Sequence, residues 1–317
     1  MKKKIIVILS LVILIVGGAL TVTNKYDHNN TFKTQVKNKD NIKYIPIAED
    51  IGGVSHGILD VDGHIDDTFV HELEEGETFD KFVNIANFFD GKRNFKLLAF
   101  VNFKQVDFKV DGDIVSEYDF TLESKEDIQI PVTLENFNIG LNEIMFSIAI
   151  SPYKEISDEV RIATELSHMI HLRTIVAMGS DEMPTINFLD VKLNDNSVGG
   201  VFITKGTEEL RLYPSTTLKR GDTLKLDMNV GHTNGSDTTE YALILLKDWK
   251  QVDIIDNMSV IYLNLPENKH TWIPIEMTFE EKGLFNVSAI LVENPYTAKS
   301  FKSMQTSNSL RIGVTVE

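Results

Sequence analysis

The chain has 317 residues, 42% hydrophobic and 25% charged, with a formal net charge of -16 and no cysteine. That length holds about two domains of roughly 100 to 200 residues, each able to bury its own core. The acidic balance repels nucleic acid and anionic surfaces, and the missing cysteine excludes disulfides, thiolate metal sites, cysteine nucleophiles and lipid attachment to a cysteine.

Lys2, Lys3 and Lys4 precede an apolar run from Ile5 to about Val22, broken only by Ser10, Gly17, Gly18, Ala19 and Thr21. A basic flank ahead of such a run marks export, with the lysines held in the cytoplasm and everything beyond translocated. The length of the run favours a retained transmembrane anchor over residues 1–22. Gly17 and Ala19 also offer a small-x-small pattern that a signal peptidase could use, which would make the protein secreted. Residues 23–41 are polar, lack apolar periodicity and read as a flexible stalk.

Beyond the stalk the sequence repeats itself. Ile130-Pro131, Gly140-Leu141 and Pro152-Tyr153 recur as Ile273-Pro274, Gly283-Leu284 and Pro295-Tyr296, each 143 residues on. Lys104-Gln105-Val106-Asp107 recurs 146 residues on as Lys250-Gln251-Val252-Asp253, with Phe103 answered by Trp249 and Phe95 by Tyr241. Leu73, Gly76, Thr78 and Asn84 recur 145 residues on as Leu218, Gly221, Thr223 and Asn229. Three collinear blocks define one duplicated unit, with copies at 42–179 and 180–317.

Within each copy the period is two. Ile130, Val132 and Leu134, then Ile144, Phe146, Ile148 and Ile150, alternate with mostly polar neighbours, and Ile273, Ile275, Met277, Phe279, then Phe285, Val287, Ala289 and Leu291, do the same. Alternation predicts antiparallel strands with one face buried and one wet, packed as a sandwich. Asp90-Gly91, Asp111-Gly112, Asn234-Gly235 and Lys282-Gly283 are turn signals between those strands. Ser157 to His171 is the exception, where Val160, Ala163, Leu166 and Ile170 could line an amphipathic helix. The predicted fold is all-β: two tandem immunoglobulin-like sandwiches, joined end to end after an N-terminal hydrophobic helix.

Gly221-Asp222-Thr223-Leu224, the Tyr241 to Leu246 strand and Gly283-Leu284-Phe285-Asn286-Val287 resemble bacterial surface immunoglobulin-like modules of the cell-adhesion-related type. The resemblance implies adhesion, spacing or scaffolding outside the cytoplasm. It supplies no functional residues.

The candidate contact residues for a ligand or partner are Phe88, Phe89, Lys104, Gln105, Asp107, Lys250, Gln251 and Asp253. Phe88-Phe89 stand at a turn where the second copy has His232-Thr233, so an aromatic pair there could grip a sugar or a protein, or equally pack against the neighbouring domain. The Lys-Gln-Val-Asp segments admit a shared ligand contact. The plainer reading makes Phe103 and Trp249 core aromatics of a central strand, with the polar residues closing that strand in a hairpin. Asp60-Val61-Asp62-Gly63-His64-Ile65-Asp66-Asp67 fails as an EF-hand, because aligning Gly63 puts Ile58 and Phe69 where carboxylates are needed, and reads as an acidic turn in which a weak calcium site stays open. His168 and His171 have helical spacing for a metal but no accompanying zincin carboxylate. No nucleophile elbow, phosphate loop or dinucleotide fingerprint occurs. No cofactor and no enzyme activity are expected. The expected partner is an extracellular protein or a cell-surface glycan, met by a protein held in the membrane through its N-terminal helix.

Overall fold

The computed structural model describes residues 43–46, 53–156, 169–195, 199–206, 213–233, 238–255, 257–297 and 305–317. The expected anchor and stalk and the Asn234-Gly235 turn lie outside them. Among the described residues there is no helix, and so none long and apolar enough to cross a membrane.

The first repeat contributes β1 (Lys43–Pro46), β2 (Val54–Leu59), β3 (Val70–Leu73), β4 (Phe79–Asn87), β5 (Arg93–Val101), β6 (Lys104–Val106), β7 (Phe108–Val110), β8 (Asp113–Val115), β9 (Tyr118–Leu122), β10 (Glu126–Leu134), β11 (Gly140–Ile150) and β12 (Met169–Met178). The second contributes β13 (Asn194–Asp195), β14 (Gly200–Thr204), β15 (Ser215–Leu218), β16 (Thr223–His232), β17 (Thr238–Lys247), β18 (Lys250–Val252), β19 (Val260–Pro266), β20 (Lys269–Thr278), β21 (Gly283–Glu293), β22 (Thr306–Asn308) and β23 (Ile312–Val316).

These strands form four sheets. In the first repeat an outer sheet runs β2-β4-β10-β7-β8 with β1 also on β10, and an inner sheet runs β3-β12-β11-β5-β6 with β9 also on β5. The second repeat has an outer sheet β13-β20-β16-β14 and an inner sheet β15-β23-β21-β17-β18, with β19 on β17 and β22 on β21. Strand neighbours within each repeat follow the immunoglobulin-type order, and pairing is antiparallel apart from β3 on β12 and β15 on β23. The duplication is written into the registers. Val83 faces Ile130 as Met228 faces Ile273, and Leu97 faces Ile148 as Leu243 faces Leu291. Turn chemistry also follows the sequence: Asp111 and Gly112, at φ 52° and 89°, join β7 to β8 through a two-residue hairpin loop whose twist suits the strands.

Each repeat buries a core between its own two sheets. Val83, Ile85, Leu97, Ile130 and Ile148 lie in the first, and Met228, Val230, Leu243, Ile275 and Leu291 in the second. A third apolar layer joins Leu98, Phe100, Met145 and Ala149 to Ala242, Ile244, Leu246, Ile290 and Val292. The two inner sheets therefore pack on each other, and both faces of their central strands are buried.

This arrangement corrects three expectations. β11 past its first residues and β21 from Val287 onward have no wet face: Met145, Ser147, Ala149, Ser288, Ile290 and Val292, the residues between the alternating core positions, are buried as well, whereas Leu284 at the start of β21 is exposed. The repeats do not stand end to end but face to face, because the second face of each inner sheet is apolar and needs cover. Finally, Met169, Ile170 and His171 belong to β12, where Ile170 pairs with Ile148 of β11, and not to a helix; residues 157–168 lie outside the described set.

Adjacent Leu97 and Leu98 are both fully buried, one in the first core and the other between the repeats. Leu97→Ala and Leu98→Ala should each cost about 2 to 5 kcal/mol in urea denaturation. A near-neutral Leu98→Ala would mean that the inner sheet is wet on that side.

Candidate functional site at the junction of the repeats

The junction begins with two tight hairpins. Asn102-Phe103 joins β5 to β6 and Asp248-Trp249 joins β17 to β18, each in two residues at positive φ: 51° and 64° in the first, 50° and 68° in the second. A bulky aromatic in that conformation is strained, and burial is what holds it there. Phe103 and Trp249 are 1% and 3% exposed, in the layer between the repeats. They are thus hairpin-tip aromatics of the junction and not central-strand aromatics of either sandwich core, where Phe95 and Tyr241 sit instead.

Next to these tips the two candidate glutamines meet. The Gln105 N–H donates to Gln251 Oε1 at 2.6 Å, and the Gln251 N–H donates to Gln105 Oε1 at 2.7 Å. Gln105 Nε2 donates to the Trp249 carbonyl at 3.1 Å, and Gln251 Nε2 to the Phe103 carbonyl at 2.9 Å. These four contacts form two matched pairs, as at an isologous two-fold interface, and Gln251 Nε2 donates in addition to the Ser259 carbonyl at 2.8 Å. Lys104, Lys250, Asp107 and Asp253 flank this clasp as exposed side chains.

Two arginines, one in the closing region of each repeat, complete the junction. Arg173 of β12 donates through Nη1 to the carbonyls of Glu293 at 2.9 Å and Gln305 at 3.0 Å, and through Nη2 to that of Asn294 at 3.3 Å. Arg311, just ahead of β23, donates through Nη1 to the carbonyls of Ser151 at 3.2 Å and Pro152 at 3.4 Å. Each arginine grips the Pro-Tyr corner of the other repeat. Ser151 and Asn294, the equivalent residues opening those corners, share positive φ at 51° and 48°.

Beyond this point the two ends differ. At one end Glu143, almost fully buried, takes the Arg173 Nε–H on one oxygen and the Tyr296 N–H on the other at 2.5 Å. Tyr296 is 7% exposed, packs edge-on against Phe103 at 5.4 Å and sets its hydroxyl 3.4 Å from that of Tyr262. Burial raises both tyrosine pKa values above the ordinary range.

At the other end the residue equivalent to Glu143 is Asn286, whose Nδ2 reaches only to 3.5 Å from the Pro152 carbonyl. Arg311 has its cationic centre 5.5 Å from the Trp249 ring, and burial pulls its pKa down to about 10. Tyr153 is 61% exposed. The registers make Lys96 the counterpart of Ala242, and Asp119 that of Tyr262. The Lys96 ammonium reaches Glu117 at 2.7 Å and Asp119 at 3.1 Å; against the burial that opposes its charge, these carboxylates hold its pKa above the ordinary value. Lys96, Glu117, Tyr153, Trp249 and Asn286 line a cavity of about 370 Å3 at this end.

The remaining candidates lie elsewhere. Phe88 and Phe89 are half-buried at the turn after β4. Phe88 donates its N–H to the Gly53 carbonyl, the Arg93 guanidinium stands 4.0 Å over the Phe89 ring, and the Ser124 hydroxyl donates to the Phe89 carbonyl, so their contacts run within the first repeat. In the acidic loop Asp60 Oδ1 accepts the N–H groups of Asp62 and His64, and Asp66 pairs with Lys81 at 2.7 Å. No group of three or more metal-ligating side chains gathers among the described residues. His171 sits half-buried on β12 beside Ser147, 2.9 Å from its hydroxyl, and burial pushes its pKa down to about 3. Sequence reasoning missed Arg173, Arg311, Glu143, Lys96 and Tyr153 as junction residues. The repeated Pro-Tyr pair was the signal, read only as a mark of duplication.

No protein-family model matches the chain, and no curated protein matches it. Among solved structures it is similar to a CARDB domain from Pyrococcus furiosus bound to di-metal ions, with 11% identity and a TM-score of 0.25 over 43% of this chain and 97% of that one. It is also similar to the C-terminal domain of the Streptococcus pyogenes antigen I/II-family protein AspA, with 9% identity and a TM-score of 0.23 over 84% and 100%. A third is a BspA C-terminal structure, with 10% identity and a TM-score of 0.23 over 82% and 99%. At these scores the likeness carries no argument, and the sandwich assignment stands on the strand pairing itself.

Gln105→Ala and Gln251→Ala should each lower stability by about 2 to 4 kcal/mol, since each removes paired hydrogen bonds and strands buried backbone groups. In urea denaturation the double variant should lose less than the sum of the singles, because both changes break the same reciprocal bonds. Additive losses would mean that the glutamines act independently.

Proposed function

We propose that the chain is a non-catalytic protein of the cell exterior, tethered by its N-terminal hydrophobic segment, that presents a rigid pair of immunoglobulin-like sandwiches for adhesion or scaffolding. The observation that carries this reading is the reciprocal junction. A hinge between repeats would need a small, polar contact surface. Here, among the described residues, twelve buried and mostly apolar side chains, the glutamine clasp and two buried arginines fix one repeat on the other. Such a body holds its loops at constant separation, which is what a spacer or scaffold requires.

The lysine-flanked apolar run supports export and tethering, and the lack of cysteine suits a chain stabilised outside the cytoplasm by packing alone. The acidic balance favours partners that are neutral or basic. A second reading, a ligand-binding module, is favoured by one observation, the cavity at the open end of the junction.

The absence of native cysteine makes site-specific spin labelling direct. With labels at Asp113→Cys and Glu276→Cys, one exposed position on each outer sheet, pulsed dipolar spectroscopy should give a single narrow distance distribution. Fractionation of cells expressing the full chain should place it in the membrane fraction, with both repeats digested by protease added outside. A broad or bimodal distance distribution, or a chain protected in the cytosol, would contradict the proposal.

A further inference from the structure

We infer that the open end of the junction is a binding pocket for a neutral saccharide. The near two-fold relation of the repeats supplies an internal control, since the same structural positions occur twice and one end is filled. There, Ala242, Tyr262 and Tyr296 close the space with apolar and aromatic surface, and Glu143 satisfies both Arg173 and the backbone of the Pro-Tyr corner. At the other end Lys96, Asp119, Tyr153 and Asn286 hold the equivalent positions, and the filling is gone.

The chemistry of the walls selects the ligand. The cavity of about 370 Å3 lies within the range of small-molecule sites, roughly 300 to 1,000 Å3, and fits a sugar of one or two rings. The charges that line it balance, Lys96, Lys154 and Lys250 against Glu117, Glu155 and Asp248, with Lys96 and Glu117 at bonding distance. A pocket with no excess charge, in a chain of net charge -16, does not recruit ions. It does offer carboxylate, amide and ammonium groups to several hydroxyls at once. Tyr153 and Leu284, 61% and 57% exposed, border the same space as apolar surface. A pyranose has that pairing of needs, an apolar C–H face and a rim of hydroxyls, whereas a purely apolar ligand would strand the polar wall.

The inference goes beyond the presenting role, and the two fail separately: a rigid surface body with an idle cavity would keep the first, and a sugar-binding chain found in the cytosol would keep the second. The test is titration of the full chain with glucose, galactose, mannose, N-acetylglucosamine, cellobiose, lactose and chitobiose, read by saturation-transfer NMR and calorimetry. Glucuronic acid, sialic acid and a neutral decapeptide serve as further arms. At least one neutral sugar should bind saturably, at millimolar Kd or tighter, with affinity falling about tenfold or more in Tyr153→Ala and in Asn286→Ala. A Phe88→Ala, Phe89→Ala double variant should bind as the parent does. Tyr153 is exposed, so its replacement leaves the fold intact, and that variant alone decides the matter if Asn286→Ala is unstable. No binding by any neutral sugar, preference for the acidic sugars or the peptide, or binding that survives Tyr153→Ala would overturn the inference.

Discussion

Gln105 and Gln251 each complete the other's backbone hydrogen bonding across 146 residues of sequence, and the arrangement of the four sheets follows from that exchange. A side-chain amide has one acceptor and two donors to satisfy, and a hairpin edge leaves a backbone N–H and a neighbouring carbonyl to match. When the same hairpin occurs twice, each copy holds what the other lacks. Burial then adds weight to geometry, because a polar group left unpaired beside the Phe103 and Trp249 rings would cost about 1 to 3 kcal/mol. Self-complementarity of this kind is the logic of a two-fold dimer, carried here within one polypeptide.

The apolar faces and the arginines build outward from the clasp. The central stretches of β5, β11, β17 and β21 are buried on both sides, so the inner sheets cannot part without exposing Leu98, Phe100, Ile244 and Ile290 to water. Gly313 shows how close the approach is: a Cβ there would lie 2.6 Å from the carbonyl oxygen of Ile156 in the other repeat. Arg173 and Arg311 close the edges by satisfying carbonyls of the partner's corner. The two ends then diverge, through Glu143 against Asn286 and Ala242 against Lys96, into one sealed and one hollow. Approximate symmetry holds the body together, and its breaking leaves room for a ligand at one end of the junction.

Much of this was legible in the sequence. The offsets of 143, 145 and 146 residues reappear as equivalent strand registers, and the alternation of Ile128, Ile130, Val132 and Leu134 does mark a strand with a single buried face. β11 misled because Glu143 and Ser147, set between the alternating core positions, look like a solvent face, yet both are buried on the side that faces the second repeat, and Glu143 accepts the Tyr296 N–H of its corner. The contrary signal lay in β5 and β17, where Leu97-Leu98-Ala99-Phe100 and Ala242-Leu243-Ile244-Leu245-Leu246 run apolar without a break, as strands covered on both faces do. The Lys-Gln-Val-Asp segments stood out for persisting in both copies, and nothing in one copy alone says that its natural complement is the other. Tertiary context likewise put Met169 to His171 in a strand, since β11 offers them an edge that local helical periodicity does not register.

The central claim is that the two sandwiches are one cooperative body. Differential scanning calorimetry of the full chain measures this most directly, because it compares the heat absorbed with the sharpness of the transition. One transition, with calorimetric and van't Hoff enthalpies in agreement, is what mutual burial of the inner sheets predicts. Two separable transitions, each with the enthalpy of a single sandwich, would show that the repeats fold independently and that the junction holds nothing in place.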